Sequence, residues 1–245
     1  MLTSLIITDV TRMSGTRVCI AAVDQQRNNI RPILPYGIME DWLYQDEKCI
    51  IRPFARINLD LLENRPNPPH TEDWLVDEKR KIFKGILEEE FRYKLLKEIA
   101  QNTVEKVFKT QIIHEQGFYI QKGQGEHSLG TLCPLLIDKV LYRCYDGKWD
   151  YRISFMDHTY QRYRLSVTDL SFRNYLDYLR IEHHQSSEEI EEKILTDLNT
   201  KSIFLRIGLA RHWERFPDRC YLQVTGIYTF PDYLHGKVFA DFQSS

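Results

Sequence analysis

The segment from Ile203 to Phe242 most constrains what this chain can fold into. It holds two β-type runs, IFLRIGLA (Ile203 to Ala210) and CYLQVTGIY (Cys220 to Tyr228), on either side of a single turn cluster at Pro217-Asp218. Alternating branched and aromatic residues bounded by turn formers read as a hairpin. The first strand leaves through Arg211-His212-Trp213 and the second closes on Phe230-Pro231. Such a hairpin gathers cations and aromatic faces on one surface, which suits a nucleic-acid platform, a docking face or the wet side of a sheet.

At 245 residues the whole chain has room for one large domain or two small ones. Strand periodicity at Ser4 to Val10, Arg17 to Asp24, Asn29 to Leu34 and Arg52 to Leu61 predicts a small β-unit. Glu63 to Thr71 (ENRPNPPHT) carries three prolines and reads as a stiff, extended connector. Beyond Val76, apolar residues at Ile82, Phe83, Ile86, Leu87, Phe91, Leu95, Leu96 and Ile99 fall at helical spacing. Asn102 with Glu105 predicts the cap of a second short helix, and Gly117 to Gly130 reads as the most flexible stretch.

In the second half, Lys139 to Tyr145, Tyr151 to Met156 and Arg162 to Val167 read as three strands. Two helices should follow, one capped at Thr168-Asp169 and running through Arg180, the other opened by a Ser186/Glu189 capping box and running to about Asn199. Three strands, a helical insertion and two closing strands is the element count of an OB-type barrel, and an SH3-like or another small β-barrel shares it. The expected architecture is a β-rich α+β chain: an OB-like barrel over 1–75, a helical connector over 76–116, and a second OB-like barrel over 117–245 with a helical insertion at about 169–199.

Composition narrows the chemistry. Lys and Arg number 33 against 35 Asp and Glu, a net charge of −2, which weighs against a protein that holds nucleic acid mainly by neutralising phosphates. Ser186 to Lys201 holds five acids against two lysines, or −3, so the rest of the chain carries +1 and has charge to spare for a basic face. The five cysteines are scattered, with no Cys-x-x-Cys, which argues against a disulfide framework or structural zinc. No apolar run approaches the roughly 20 residues of a membrane span, and the amino terminus reads as a first strand, so a cytoplasmic protein is expected.

Several phrases occur together: Arg17 to Ile20 followed by Ile30-Arg31-Pro32, then Ile51-Arg52-Pro53-Phe54, then Pro68-Pro69-His70-Thr71-Glu72-Asp73-Trp74. Gly208-Leu209-Ala210-Arg211 with Trp213, and Gln223 through Leu234, complete the set. In these phrases the chain resembles the bacterial dual OB-containing domain proteins. The resemblance implies two OB-like barrels and a nucleic-acid-binding role as an accessory factor in prokaryotic defence or genome maintenance, and it brings no catalytic residues.

The candidate surface is the set of cations and aromatics in the second β-unit, which includes Tyr142, Tyr145, Tyr151, Tyr163, Arg164, Tyr221 and Gln223. Arg143, Arg152, Arg206 and Arg211 are the expected phosphate contacts, and Trp149 and Trp213 the expected stacking residues, for single-stranded or structured DNA or RNA. Replacing Arg206 and Arg211 should then weaken binding and leave the melt unchanged. An adaptor that holds protein partners fits the near-neutral charge. A third possibility is a metal-dependent nuclease or hydrolase built on His70, Glu72 and Asp73, which otherwise read as a helix start capped by Thr71. The glycine-rich run Gly123-Gln124-Gly125 lacks the Gly-Lys-Ser/Thr sequel of a phosphate-binding loop, and His183-His184 sits on a polar linker. No cofactor, metal or catalytic residue is expected from these motifs.

Overall fold

The computed structural model describes residues 2–211 and 214–242. Its amino-terminal sheet closes on itself. Strands β1 (Leu2–Arg12), β2 (Arg17–Val23), β3 (Asn29–Ile33), β4 (Ala55–Asn64) and β5 (Asp73–Ile86) follow the cyclic order β1-β2-β3-β5-β4-β1. Every contact is antiparallel except β3 with β5, where Arg31 lies opposite Asp73 and Ile33 opposite Leu75. This is OB connectivity. A register shift between Ile7 and Asp9 lets β1 bend and pair with both β2 and β4. Leu5, Ile7, Val18, Ile20, Ala22, Ile57 and Leu59 fill the barrel.

Strand β5 corrects the helix expected from Val76. Helix α1 begins only at Glu89 and runs to Ile99. Before it, Asp73–Ile86 is a fourteen-residue strand that completes the closed sheet on the far side of the proline-rich stretch, which is the loop between β4 and β5. Register shifts at three places along β4 and β5 break the two-residue alternation. Apolar positions that a regular strand would space by two therefore fall at three and four, which imitates a helix. The next helix, α2 (Val104–Phe108), is capped by Thr103, whose hydroxyl accepts from the Lys106 amide, rather than by Asn102.

Gly117 to Gly130 holds two strands, β6 (Phe118–Gln121) and the start of β7 (Leu129–Leu132), joined by a loop. Gly130 is required there, because a Cβ would meet Val107 of α2 at 2.5 Å. The carboxy-terminal sheet then adds β8 (Leu136–Tyr145), β9 (Lys148–Met156), β10 (Arg162–Val167), β11 (Ser202–Leu209) and β12 (Arg219–Phe230). Its order is β8-β9-β10-β12-β11, with β10 parallel to β12, so it repeats the OB order of the first sheet.

This second sheet does not close by strand pairing. β11 takes β7 as its other neighbour, and β8 stays an edge. Helices α3 (Leu170–Ile181) and α4 (Ser187–Asn199) stand between β10 and β11, capped by Asp169 and by the Ser186/Glu189 box as expected. Side chains of α4 satisfy the open edge. The Tyr142 amide donates to Glu191 Oε1 at 2.7 Å, the Ile137 amide donates to Asn199 Oδ1 at 3.1 Å, and Asn199 Nδ2 returns a bond to the Ile137 carbonyl at 2.8 Å. Covering an edge with a helix removes a row of unpaired backbone groups from water and from other chains. Among the described residues no helix is long and apolar enough to cross a membrane.

Candidate nucleic-acid interface

An OB barrel takes ligands on the outer face of its second and third strands, flanked by the loops after strands one and four. In the first barrel that face is covered by the rest of the chain. Asp9, Thr11, Ala21, Val23 and Arg31 point out of the barrel and are buried. What covers them is a polar seam centred on Arg206 of β11, which is fully buried. Its Nε donates to Asp9 Oδ2 at 3.0 Å, its Nη1 to the Thr131 hydroxyl at 3.0 Å, and its Nη2 to Asn29 Oδ1 at 3.0 Å. Thr8 and Thr225 hydroxyls also donate to Asp9, at 2.7 and 2.6 Å. The expected phosphate contact at Arg206 is thus corrected: its charge is spent on Asp9, out of reach of solvent.

A second node lies where the loop of the first barrel meets the second unit. Asp73 accepts from Arg31 Nε at 2.5 Å and also from Arg211 Nη2. Glu72 accepts from the Ser128 amide at 2.6 Å and from its hydroxyl at 3.0 Å, and the Thr71 hydroxyl donates to the Glu126 carbonyl. Glu72 and Asp73 are therefore engaged in holding the two units together, and His70 is buried beside them. They form neither a metal site nor a helix cap: residue 73 begins a strand, and among the described residues no group of three or more His, Cys, Asp or Glu side chains is placed to hold a metal ion. Arg211 remains 49% exposed at the start of the β11–β12 loop.

The corresponding face of the second unit is partly exposed: Arg164 is exposed, Arg152, Ser166, Arg219, Tyr221 and Gln223 are half-buried, and Ser154 is buried. Arg152 lies opposite Ser166 and Ser154 opposite Arg164, while Ser166 lies beside Gln223 of β12. Directly paired residues share a face, so Arg152, Arg164, Gln223, Tyr221 and Arg219 stand on one outer surface. Arg164 is exposed and, among the described residues, pairs with no carboxylate, whereas Arg152 bonds its neighbour Asp150 at 2.6 Å. At the loop end of this surface, Tyr119 and Tyr221 rings lie 5.5 Å apart and Phe216 lies 6.2 Å from Tyr221. The Arg219 guanidinium sits 4.6 Å from the buried Tyr119 ring and 4.9 Å from Phe216 and pairs with Glu115 at 3.2 Å, and Arg215 lies 5.5 Å from Phe216. Flat aromatic faces beside cations are what a single strand needs for stacking and phosphate contact.

Two further expected contacts lie elsewhere. Trp149 has the parity of Tyr151 and Ile153, opposite to Arg152, and packs inward. It stacks on Tyr142 at 4.3 Å and takes the Arg180 guanidinium at 4.4 Å. Both tyrosine hydroxyls donate to Asp177 of α3 at 2.7 Å, and burial raises both phenols above their ordinary pKa, so they remain protonated donors. The stacking role expected of Trp149 is corrected to packing between sheet and helix. Arg143 is on the outer side but bonds Glu188 and Glu191, so the acidic helix neutralises it. Trp213 lies outside the described residues.

Strand parity and loop position, more than composition, separate the partly exposed surface from the covered one. Arg219, Tyr119 and Phe216 escape a reading of the sequence because β6, which brings Tyr119 beside Tyr221, falls in the glycine-rich stretch. Comparison with curated proteins gives no match. The family model described as Dual OB-containing domain matches residues 4–227. With that match over most of its length and OB strand order in both sheets, the chain belongs to the Dual OB-containing domain family.

Proposed function

We propose that this protein binds single-stranded or structured nucleic acid on the outer face of β9, β10 and β12, in a binding rather than a catalytic role. The observation that carries the reading is that this face has the position of an OB ligand surface and keeps Arg164 exposed and Arg152, Tyr221 and Gln223 partly so, while its counterpart on the first barrel is buried in the seam. Arg152 and Arg164 contact phosphates, Tyr221 and Phe216 stack bases, and Arg211 extends the cationic track toward the seam. An accessory role in prokaryotic defence or genome maintenance belongs to the same proposal.

The test is fluorescence anisotropy with labelled single-stranded DNA and RNA over a range of salt. Tyr221→Ala should weaken binding by about five- to more than a hundredfold, the roughly 1–3 kcal/mol of one stacked base. Arg164→Ala should lower the salt slope by about 0.7, as expected for one lost phosphate contact on a single strand. Salt-independent or absent binding by the unaltered protein sinks the proposal.

The adaptor reading draws support from a different place. Met13, Tyr36 and Met39 are exposed, Tyr36 by 90%, and gather about Arg17: Met39 pairs with it, the Met13 amide bonds its carbonyl, and a Cβ on Gly37, next to Tyr36, would lie 3.9 Å from its Cδ. Capture of a protein partner that is lost on Tyr36→Ala would favour it.

A further inference from the structure

As a strand, residues 73–86 present a surface that a helix would disperse. On the outer side of β4 and β5, away from the seam, Arg56 lies opposite Gly85 and Asn58 opposite Ile82, so Arg56, Arg80, Ile82 and Lys84 share one exposed face. Gly85 has φ +114° and no side chain, and the Arg56 guanidinium rests across it: a Cβ there would lie 3.4 Å from Arg56 Nη2. The same nitrogen donates to the Lys84 carbonyl at 3.3 Å, which holds the guanidinium beside the Lys84 chain. Arg80 pairs with Asp60 at 2.9 Å, and among the described residues no carboxylate pairs with Arg56 or Lys84. Arg56, Arg80 and Lys84 thus gather three cations, with one paired carboxylate, Asp60, on one face of a chain of net −2.

We propose that Arg56, Arg80 and Lys84 form a second nucleic-acid surface that binds the phosphate backbone of a duplex. The patch is cationic, and among the described residues its exposed apolar side chains are aliphatic, Ile82 and Leu2, with no aromatic ring, so it contacts phosphates without stacking bases. Phosphate-only contact is strongest where phosphate charge is densest, and a duplex presents one charge per about 1.7 Å of axis, twice that of one strand. The division of labour is then a stacking face on the second unit and a backbone face on the first barrel. Such a protein would favour a junction where single strand meets duplex.

The experiment compares labelled duplex, single strand and a duplex with a single-stranded tail, using the full chain, Arg56→Gln/Lys84→Gln, and the charge-preserving Arg56→Lys/Lys84→Arg. The glutamine pair should reduce the duplex salt slope by about 1.8, as expected for two lost contacts at about 0.9 each, while single-strand binding stays intact. The charge-preserving pair should keep the wild-type slope. An unchanged duplex slope in the glutamine pair overturns the proposal, as does a loss confined to single strands. Retention of an acidic polypeptide in place of duplex by the unaltered protein overturns it in favour of a protein partner. Duplex binding that survives Arg164→Ala and Tyr221→Ala, with no single-strand binding by wild type, would sink the second-unit reading and leave this one standing.

Discussion

Replacing Arg206 with Met separates two accounts of the same residue. If Arg206 contacted phosphate, the change would weaken binding and leave the melt where it was. In the seam, the guanidinium donates to Asp9, Thr131 and Asn29, and removing it strands Asp9, itself buried, on two threonine hydroxyls. Breaking a buried ion pair by deleting one partner costs about 3–5 kcal/mol, because the remaining charge is left uncompensated. For a chain of this size each kcal/mol moves the midpoint by about 2–4 °C, so Arg206→Met should melt roughly 6–20 °C below wild type. The assay is thermal and urea unfolding followed by circular dichroism, with Arg152→Ala as a surface control expected to shift stability by less than about 1 kcal/mol. Arg206→Met/Asp9→Leu should recover more than half of the loss, since an apolar replacement of both partners removes the stranded charge. A melt of Arg206→Met within a degree of wild type would refute the seam, and a double variant no better than the single would refute the charge as its cause.

Two further outcomes follow from buried polar groups. Burial raises Asp169 to about 7 against three backbone amides that donate to it, so its neutral form is favoured in the fold. Its contribution to stability is then full below the ordinary value of 3.8 and is lost as pH rises toward about 7, by on the order of 4 kcal/mol over those three units; Asp169→Asn should flatten that part of the stability profile, and an unchanged profile would contradict it. Asn199→Ala removes both bonds to Ile137 at the edge of β8 and should cost about 1–3 kcal/mol in urea unfolding, with faster amide exchange at Ile137 as the local signature.

The caps and strands of the second half were legible because their signals are local. Asp169 and the Ser186/Glu189 pair satisfy amides two and three residues away, and Arg162 to Val167 alternates cleanly. What was not legible is what covers each face. Alternation places Arg206 on the outer side of β11, but its partner Asp9 stands 197 residues earlier, and nothing near Arg206 in sequence announces it. The same holds for Asp73, whose two arginines come from positions 31 and 211, and for Arg143, which meets the acids of α4 only because that helix guards an open edge. Strand β5 was hidden for a different reason: its irregular register spaces apolar residues as a helix would, and only pairing with β4 decides the matter. The OB order itself rests on the parallel contacts β3–β5 and β10–β12, which are long-range in both units.

A single strand is proposed to lie on the outer face of the second unit. Photocrosslinking of a thiouridine-substituted single strand to the full chain, followed by peptide mapping, tests it most directly. Crosslinks should fall within 115–122, 148–166 and 214–223, and should vanish in competition with unlabelled single strand. Crosslinks confined to the first barrel, or none under conditions where the protein remains folded, would contradict it.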